Sequence, residues 1–343
     1  MKLAALAPFP FHNGGFGGAE RILNLLTRVE HAIDVFIPTA TTQSPIQLAN
    51  LTIKGIQLPE SVMNAGNDYD TALSMVAGNL FSEVLDDYDL TILEHPWQVD
   101  AVDGKRFVYD AHNNESRMKA QLFPHEVQRT KIVEAKALKA EHVTFCSLGD
   151  DIITESPSTH IPNGTDLPNI HRINGSGVTN LLFVGSAHPP NIAAAAMLAN
   201  LAQALPDYTI VIAGACSQYI ENPPSNVRLV GHVNPAILDF LFSNAHAFVN
   251  LMTAGSGTSL KVGRALSYGV PVITSPLGAR GYEDSCLIAK NAQEVVDHLR
   301  TLTYPTVWKE ESDRARIAAE AISWDKVGSR FNEVIQGVLY GNS

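Results

Sequence analysis

Short apolar, β-branched runs alternate with segments of helical periodicity twice over in this 343-residue chain, which restricts it to parallel sheets covered on both faces. In the first half, residues 3–8, 34–38, 90–95, 106–112 and 142–147 read as strands, with helical patterns over 17–29 and 126–141. The alternation lapses in NGTDLPNIHRINGSGVTN, which is rich in Gly, Asn and Pro, and then restarts. Strands are expected at 180–185, 208–214, 227–233, 246–251 and 271–276, with helices over 192–204 and 236–242. The fold class expected is α/β, with two doubly wound Rossmann-like domains at 1–165 and 180–322 and a linker at 166–179. Residues 323–343 form an amphipathic tail helix capped by Ser323, with Trp324, Val327, Phe331 and Val334 or Ile335 on one face. That stripe is expected to cross back to the first domain.

Charge and cysteine usage exclude several function classes. The 24 basic and 35 acidic residues leave a net charge of −11, which disfavours nucleic acid and allows at most peripheral membrane contact. No apolar run approaches the ~20 residues of a membrane span. Pro8 and Pro10 interrupt the apolar start before the core of a signal peptide is complete. Cys146, Cys216 and Cys286 are odd in number and far apart, so neither a disulfide framework nor a zinc site is indicated. A cytoplasmic location is expected.

Ligands of a doubly wound sheet gather beyond the carboxyl ends of its strands. GSGTSLKVGRALSYGVPVI, residues 255–273, fits that place: a small-residue turn, a helix from Leu260 to Tyr268, a stop at Gly269 and a new strand. Gly255, Ser256, Gly257, Thr258 and Ser259 would direct amides at a nucleotide diphosphate. The same residues serve equally as a plain turn in which Thr258 or Ser259 caps the helix. A dehydrogenase fingerprint fits poorly, because Glu20 takes the place of the third glycine read from Gly15 and Asp34 begins its strand. The DYD triplets at 68–70 and 87–89 read as acidic turns.

GSGTSLKVGRALSYGVPVITSPLGARG resembles the donor-binding segment of family 4 glycosyltransferases of the GT-B fold. GGAERI (17–22), EHPW (94–97), YDAHNNE (109–115), CSLGDDI (146–152), IPNGTD (161–166), FVGSAHPPNIAA (183–194) and VRLVGHV (227–233) recur in the same order, so the resemblance spans nearly the whole chain. It implies two domains facing each other across a cleft and a retaining, metal-independent, hexosyltransferase-like enzyme. The donor would be a UDP- or GDP-linked sugar, with no further cofactor. The acceptor, a glycan, lipid-linked or small molecule, would lie on the first domain. The resemblance makes His112 the catalytic histidine and Gly14, Gly15, Gly17 and Gly18 a loop facing the diphosphate. It assigns donor binding to Ser186, His188, Asn191, His232, Ser256, Gly257, Thr258, Ser259, Leu260, Lys261 and Arg264.

Two departures stand out. Ser256 and Arg264 occupy positions where relatives carry glutamates, and an arginine has donors only, so it cannot accept from ribose hydroxyls. Ser186, Ala187, His188 and Asn191 stand where relatives place arginine and lysine. Lys261 or Arg264, three apart on one helix face, is expected to supply the missing positive charge. The alternative is a catalytically degenerate paralogue that binds a nucleotide sugar or serves as a partner subunit.

Overall fold

The computed structural model describes residues 1–12, 17–41, 43–169 and 179–341. They form two compact units, residues 1–162 with those from Trp324 onward, and residues 163–323.

The first unit is built on β1 (Leu3–Leu6), β2 (Ile33–Thr39), β3 (Ile46–Leu48), β4 (Leu51–Gln57), β5 (Leu90–Glu94), β6 (Phe107–Ala111), β7 (His142–Phe145) and β8 (Ser158–His160). Its helices are α1 (Gly17–Leu26), α2 (Glu60–Met63), α3 (Tyr69–Phe81), α4 (Glu115–Leu122) and α5 (Val127–Ala137). The sheet order is β3-β4-β2-β1-β5-β6-β7-β8, parallel throughout except for β3 on β4. Every residue of β1 and β5 is buried, as expected of central parallel strands covered on both sides. The chain builds outward from β1 in one direction and then restarts at β5 in the other. The connections leaving β1 and β5 therefore run to opposite sides, the topology at which doubly wound sheets take their ligands.

The second unit repeats the plan with β9 (Asn180–Val184), β10 (Thr209–Ala213), β11 (Val227–Gly231), β12 (Ala247–Asn250), β13 (Val272–Thr274) and β14 (Leu287–Ile288). Its helices are α6 (Pro189–Leu201), α7 (Pro235–Ser243), α8 (Leu260–Ser267), α9 (Ala292–Thr301) and α10 (Pro305–Ala321). All neighbours in the order β11-β10-β9-β12-β13-β14 are parallel, so the direction of building reverses between β9 and β12. Phe242, Phe248 and Phe183 pack ring against ring beneath this point. Gly214 lets the exits of β9 and β10 close together: its φ is 91°, and a Cβ there would lie 2.2 Å from the Gly185 carbonyl oxygen.

The final helix, α11 (Trp324–Tyr340), belongs to the first unit. Trp324, Val327, Phe331 and Ile335 are buried, and Asn332 accepts from the Glu30 amide at 3.0 Å. Arg106 donates to the Val338 carbonyl at 2.8 Å, and Arg330 donates to that of His160 at 2.9 Å. Gly328 leaves room for Arg28, whose Cδ would sit 2.3 Å from a Cβ at that position.

Several local expectations need correction. Gly17 and Gly18 are the first two residues of α1 and not part of a loop, while Gly14 and Gly15 lie outside the described residues. The segment 126–141 is α-helical only over Val127–Ala137, preceded by a 3₁₀ turn at Pro124–Glu126. Most of the linker read at 166–179 also lies outside the described residues.

Candidate functional site

In the second unit, the loops leaving β9 and β12 meet at the reversal point. Asn191, on the first turn of α6, donates to Ser186 Oγ at 3.0 Å and accepts from Lys261 Nζ at 2.5 Å. Three residues from one loop and two helices are thus joined in one chain of bonds. Lys261 also lies 4.7 Å above the Phe183 ring centroid and faces no carboxylate among the described residues. Burial lowers its ammonium to a pKa of about 8, opposed only by Cys216. His188 caps the α6 N-terminus with its backbone, and its ring is pushed down first by burial and then by the Lys261 charge.

The turn before α8 has positive φ at Gly255 (131°) and Gly257 (69°), conformations that side chains other than hydrogen resist. Ser259 occupies the N-cap position without making a side-chain cap bond, and both its hydroxyl and that of Thr258 are shut from solvent without a hydrogen bond among the described residues. The turn is braced from below, since Asn163 donates to the Thr258 carbonyl at 3.2 Å. A Cβ at Gly281 would lie 2.5 Å from the Thr258 methyl, so the 277–281 loop packs directly against the turn. A buried ammonium without a counter-ion, beside the N-terminal ends of α6 and α8, makes this edge a place for an anion.

Two assigned residues stand apart. Arg264 pairs with Asp239 of α7 at 2.7 Å, Tyr268 donates to the same oxygen at 2.6 Å, and the guanidinium stacks over Phe242. It therefore shares no partner with Lys261 among the described residues. His232 is exposed beyond the end of the edge strand β11, outside the bonded set.

The first unit holds a second cluster, at the exits of β5 and β6. His112 Nε2 lies 2.7 Å from Glu94 and 3.3 Å from Asp110. Arg21, buried in α1, grips both Asp110 oxygens at 2.8 and 2.7 Å, and Thr144 donates to one of them at 2.6 Å. Against the cost of burial, Arg21 holds Asp110 far below the usual carboxylate range. Burial, and then the Asp110 charge, push Glu94 well above that range, while burial pushes the His112 imidazole down. Cys146 fixes the backbone by donating to the His112 carbonyl at 2.7 Å. His95 stacks on His112 with ring centroids 4.0 Å apart, and its Nδ1 lies 2.9 Å from Glu115.

Glu94, Asp110 and His112 place one ligand atom each within 4.8 Å of one another, yet they do not suit a divalent cation. Arg21 occupies both Asp110 oxygens, and burial and then the Asp110 charge favour the neutral form of Glu94. Arg21, Glu94 and His95 were not singled out from sequence. Arg21 is concealed in the sequence as a charge on the buried side of an amphipathic helix, and within EHPW no spacing sets Glu94 or His95 apart.

Residues 178–303 match the family model described as "Glycosyl transferases group 1". That stretch includes the complete second-unit cluster. Among solved structures, the chain is similar to one described as trehalose-6-phosphate from E. coli bound with UDP-2-fluoro glucose. The TM-score is 0.72 at 12% identity, covering 99% of each chain. Anabaena HepE in complex with UDP-glucose gives 0.71 at 15% identity, covering 98% of this chain and 100% of the other. The Burkholderia xenovorans α,α-trehalose-phosphate synthase (UDP-forming) with glucose-6-phosphate gives 0.73 at 10%, again over 98% and 100%. At such identities the likeness is one of fold, and the fold is GT-B. The comparison with curated proteins gives no match. No described helix is long and apolar enough to cross a membrane.

Proposed function

We propose that this protein is a retaining, family 4-type glycosyltransferase that moves a hexose from a nucleotide diphosphate donor to an acceptor hydroxyl without a metal ion. The observation that carries the reading is the Ser186–Asn191–Lys261 chain beside the 255–259 turn, at the reversal point of a sheet that lies within the matched stretch. UDP is the first choice of nucleotide, since two of the similar structures hold UDP-sugars, and GDP is the second. Buried cysteines outside any disulfide among the described residues accord with a cytoplasmic setting.

The chemistry follows from charge. As the glycosidic bond breaks, the leaving diphosphate gains negative charge, and groups already fixed around it stabilise the transition state without reorganising. Lys261 supplies the cation, Asn191 holds it in place, and the N-terminal ends of α6 and α8 add partial positive charge. Hydroxyl handling falls to the first unit. There Glu94 and Asp110 anchor His112 through Nε2, which leaves Nδ1 as the ring nitrogen for a sugar or acceptor hydroxyl.

A thermal-shift series with UDP, GDP, ADP and CMP tests the reading. A nucleotide at 100 times its Kd adds about 2.7 kcal/mol to stability, so one of them should raise Tm clearly above the others. Release of that nucleotide from its sugar conjugate should follow. Binding without any turnover would favour the degenerate-subunit alternative, and no shift with any nucleotide would defeat both.

A further inference from the structure

His95 is a strained, buried residue of the first unit that the proposed chemistry leaves unused. Its backbone has φ 71° and ψ 156°, a region in which essentially only glycine is at ease. Such strain persists only where surroundings enforce it, and it concentrates at functional sites. The surroundings here are explicit. Glu115 lies 2.9 Å from Nδ1 on one side, the His112 ring covers a face at 4.0 Å, and Phe9 meets the ring edge-on at 5.6 Å. Asn113 also donates to the bonded Glu115 oxygen, at 2.9 Å, and together with His95 it keeps that carboxyl ionised despite burial.

A carboxylate only accepts, so Nδ1 carries a proton, and in the neutral tautomer this leaves the lone pair on Nε2. That Nε2 is shut from solvent and has no hydrogen bond among the described residues, and Oε1 of the preceding residue, Glu94, is in the same condition. The side chain is only 10% exposed. Buried polar atoms without partners are rare and costly, and two at the exit of one strand point to a ligand group. β5 is the strand at which the sheet reverses direction, so its carboxyl end is where a doubly wound sheet takes its ligand.

We propose that His95 is a ligand-binding residue whose Nε2 accepts a hydrogen bond from a hydroxyl of a sugar or similar polyol at the carboxyl end of β5. A lone pair repels phosphate and carboxylate oxygens, so the group recognised is a neutral hydroxyl and not an anion. This assignment rests on the transferase reading for the owner of that hydroxyl.

Two measurements on the full chain test it. In protein carrying ¹⁵N-labelled histidine, with His95→Phe used to assign the signal, Nε2 of His95 should be unprotonated near neutral pH and should move on addition of glucose. His95→Phe keeps a flat ring against His112 but removes the acceptor, and should slow UDP-glucose cleavage about tenfold with the Kd for UDP unchanged. His95→Gln, which keeps an acceptor oxygen, should retain most of the rate and guards against a folding artefact in the first variant. A protonated Nε2, a signal unmoved by glucose, or equal cleavage by His95→Phe and the parent protein would overturn the assignment. Failure of the parent to bind UDP or GDP would instead sink the transferase reading, and the response of the Nε2 signal to glucose still decides the role of His95.

Discussion

Lys261 and His112 carry the two halves of the proposed chemistry, and each has a separable signature. Replacing Lys261 by Met keeps the apolar stem over Phe183 but removes the charge-assisted bond, a loss of roughly 1.5–3 kcal/mol, or about 10- to 100-fold in affinity for UDP. Titration calorimetry reads it directly. The pH dependence has a fixed sign: the ammonium is lowered to about 8 in the folded protein, so UDP affinity should fall as pH rises through that value. Without ligand the linkage runs the other way. Above about 8 the unfolded chain holds more protons at this site than the folded one, so burial of Lys261 weighs less on stability as pH rises toward the ordinary lysine value. His112→Ala should cut turnover far more than nucleotide affinity, which a comparison of kcat with the Kd for UDP would show. The Arg21 and Asp110 pair behaves as a buried unit. Arg21→Met leaves a carboxylate bare and should cost about 3–5 kcal/mol in denaturant unfolding, much of it recovered in the double variant Arg21→Met, Asp110→Leu.

Among the elements, the exits of β9 and β10 give the sharpest test of how the donor loops are held. Gly214→Ala would place a methyl 2.2 Å from the Gly185 carbonyl oxygen in a left-handed backbone, so it should destabilise the second unit by about 2 kcal/mol or more. An ordinary melting temperature for this variant would mean that the loops are spaced otherwise. The elements that could be read from sequence were the ones whose burial writes a period. β1, β5, β9, β10 and β12 are continuous apolar runs, and α11 shows its stripe of Trp324, Val327, Phe331 and Ile335 plainly. By contrast α4, with the sequence ESRMKAQL, buries Glu115 and Lys119 and so carries no apolar face to detect. The hairpin of β3 and β4 is half-exposed, which leaves only a weak alternation. The site was legible in the same measure. The glycine turn and Lys261 are local in sequence, whereas the pairing of Arg264 with Asp239 depends on α7 lying beside α8, and no spacing along the chain records that.

At the scale of the molecule, the chain order and the units do not coincide, because α11 follows the second unit in sequence and completes the first. A chain ending at Ser323 would uncover the apolar surface that receives Val327 and Phe331 and lose the Asn332, Val338 and Arg330 bonds. It should therefore unfold the first unit while residues 163–323 keep a cooperative transition, seen as loss of one of two melting steps. Binding of a nucleotide diphosphate at the reversal point of the second sheet through Lys261 is tested by calorimetric titration of UDP and GDP into the parent protein at pH 7 and pH 9.5, and into Lys261→Met at pH 7. Saturable binding of one nucleotide is expected, about 10- to 100-fold weaker in the variant and weakened in the parent at the higher pH. Binding of equal strength in the parent and Lys261→Met, or no binding of either nucleotide, would contradict it.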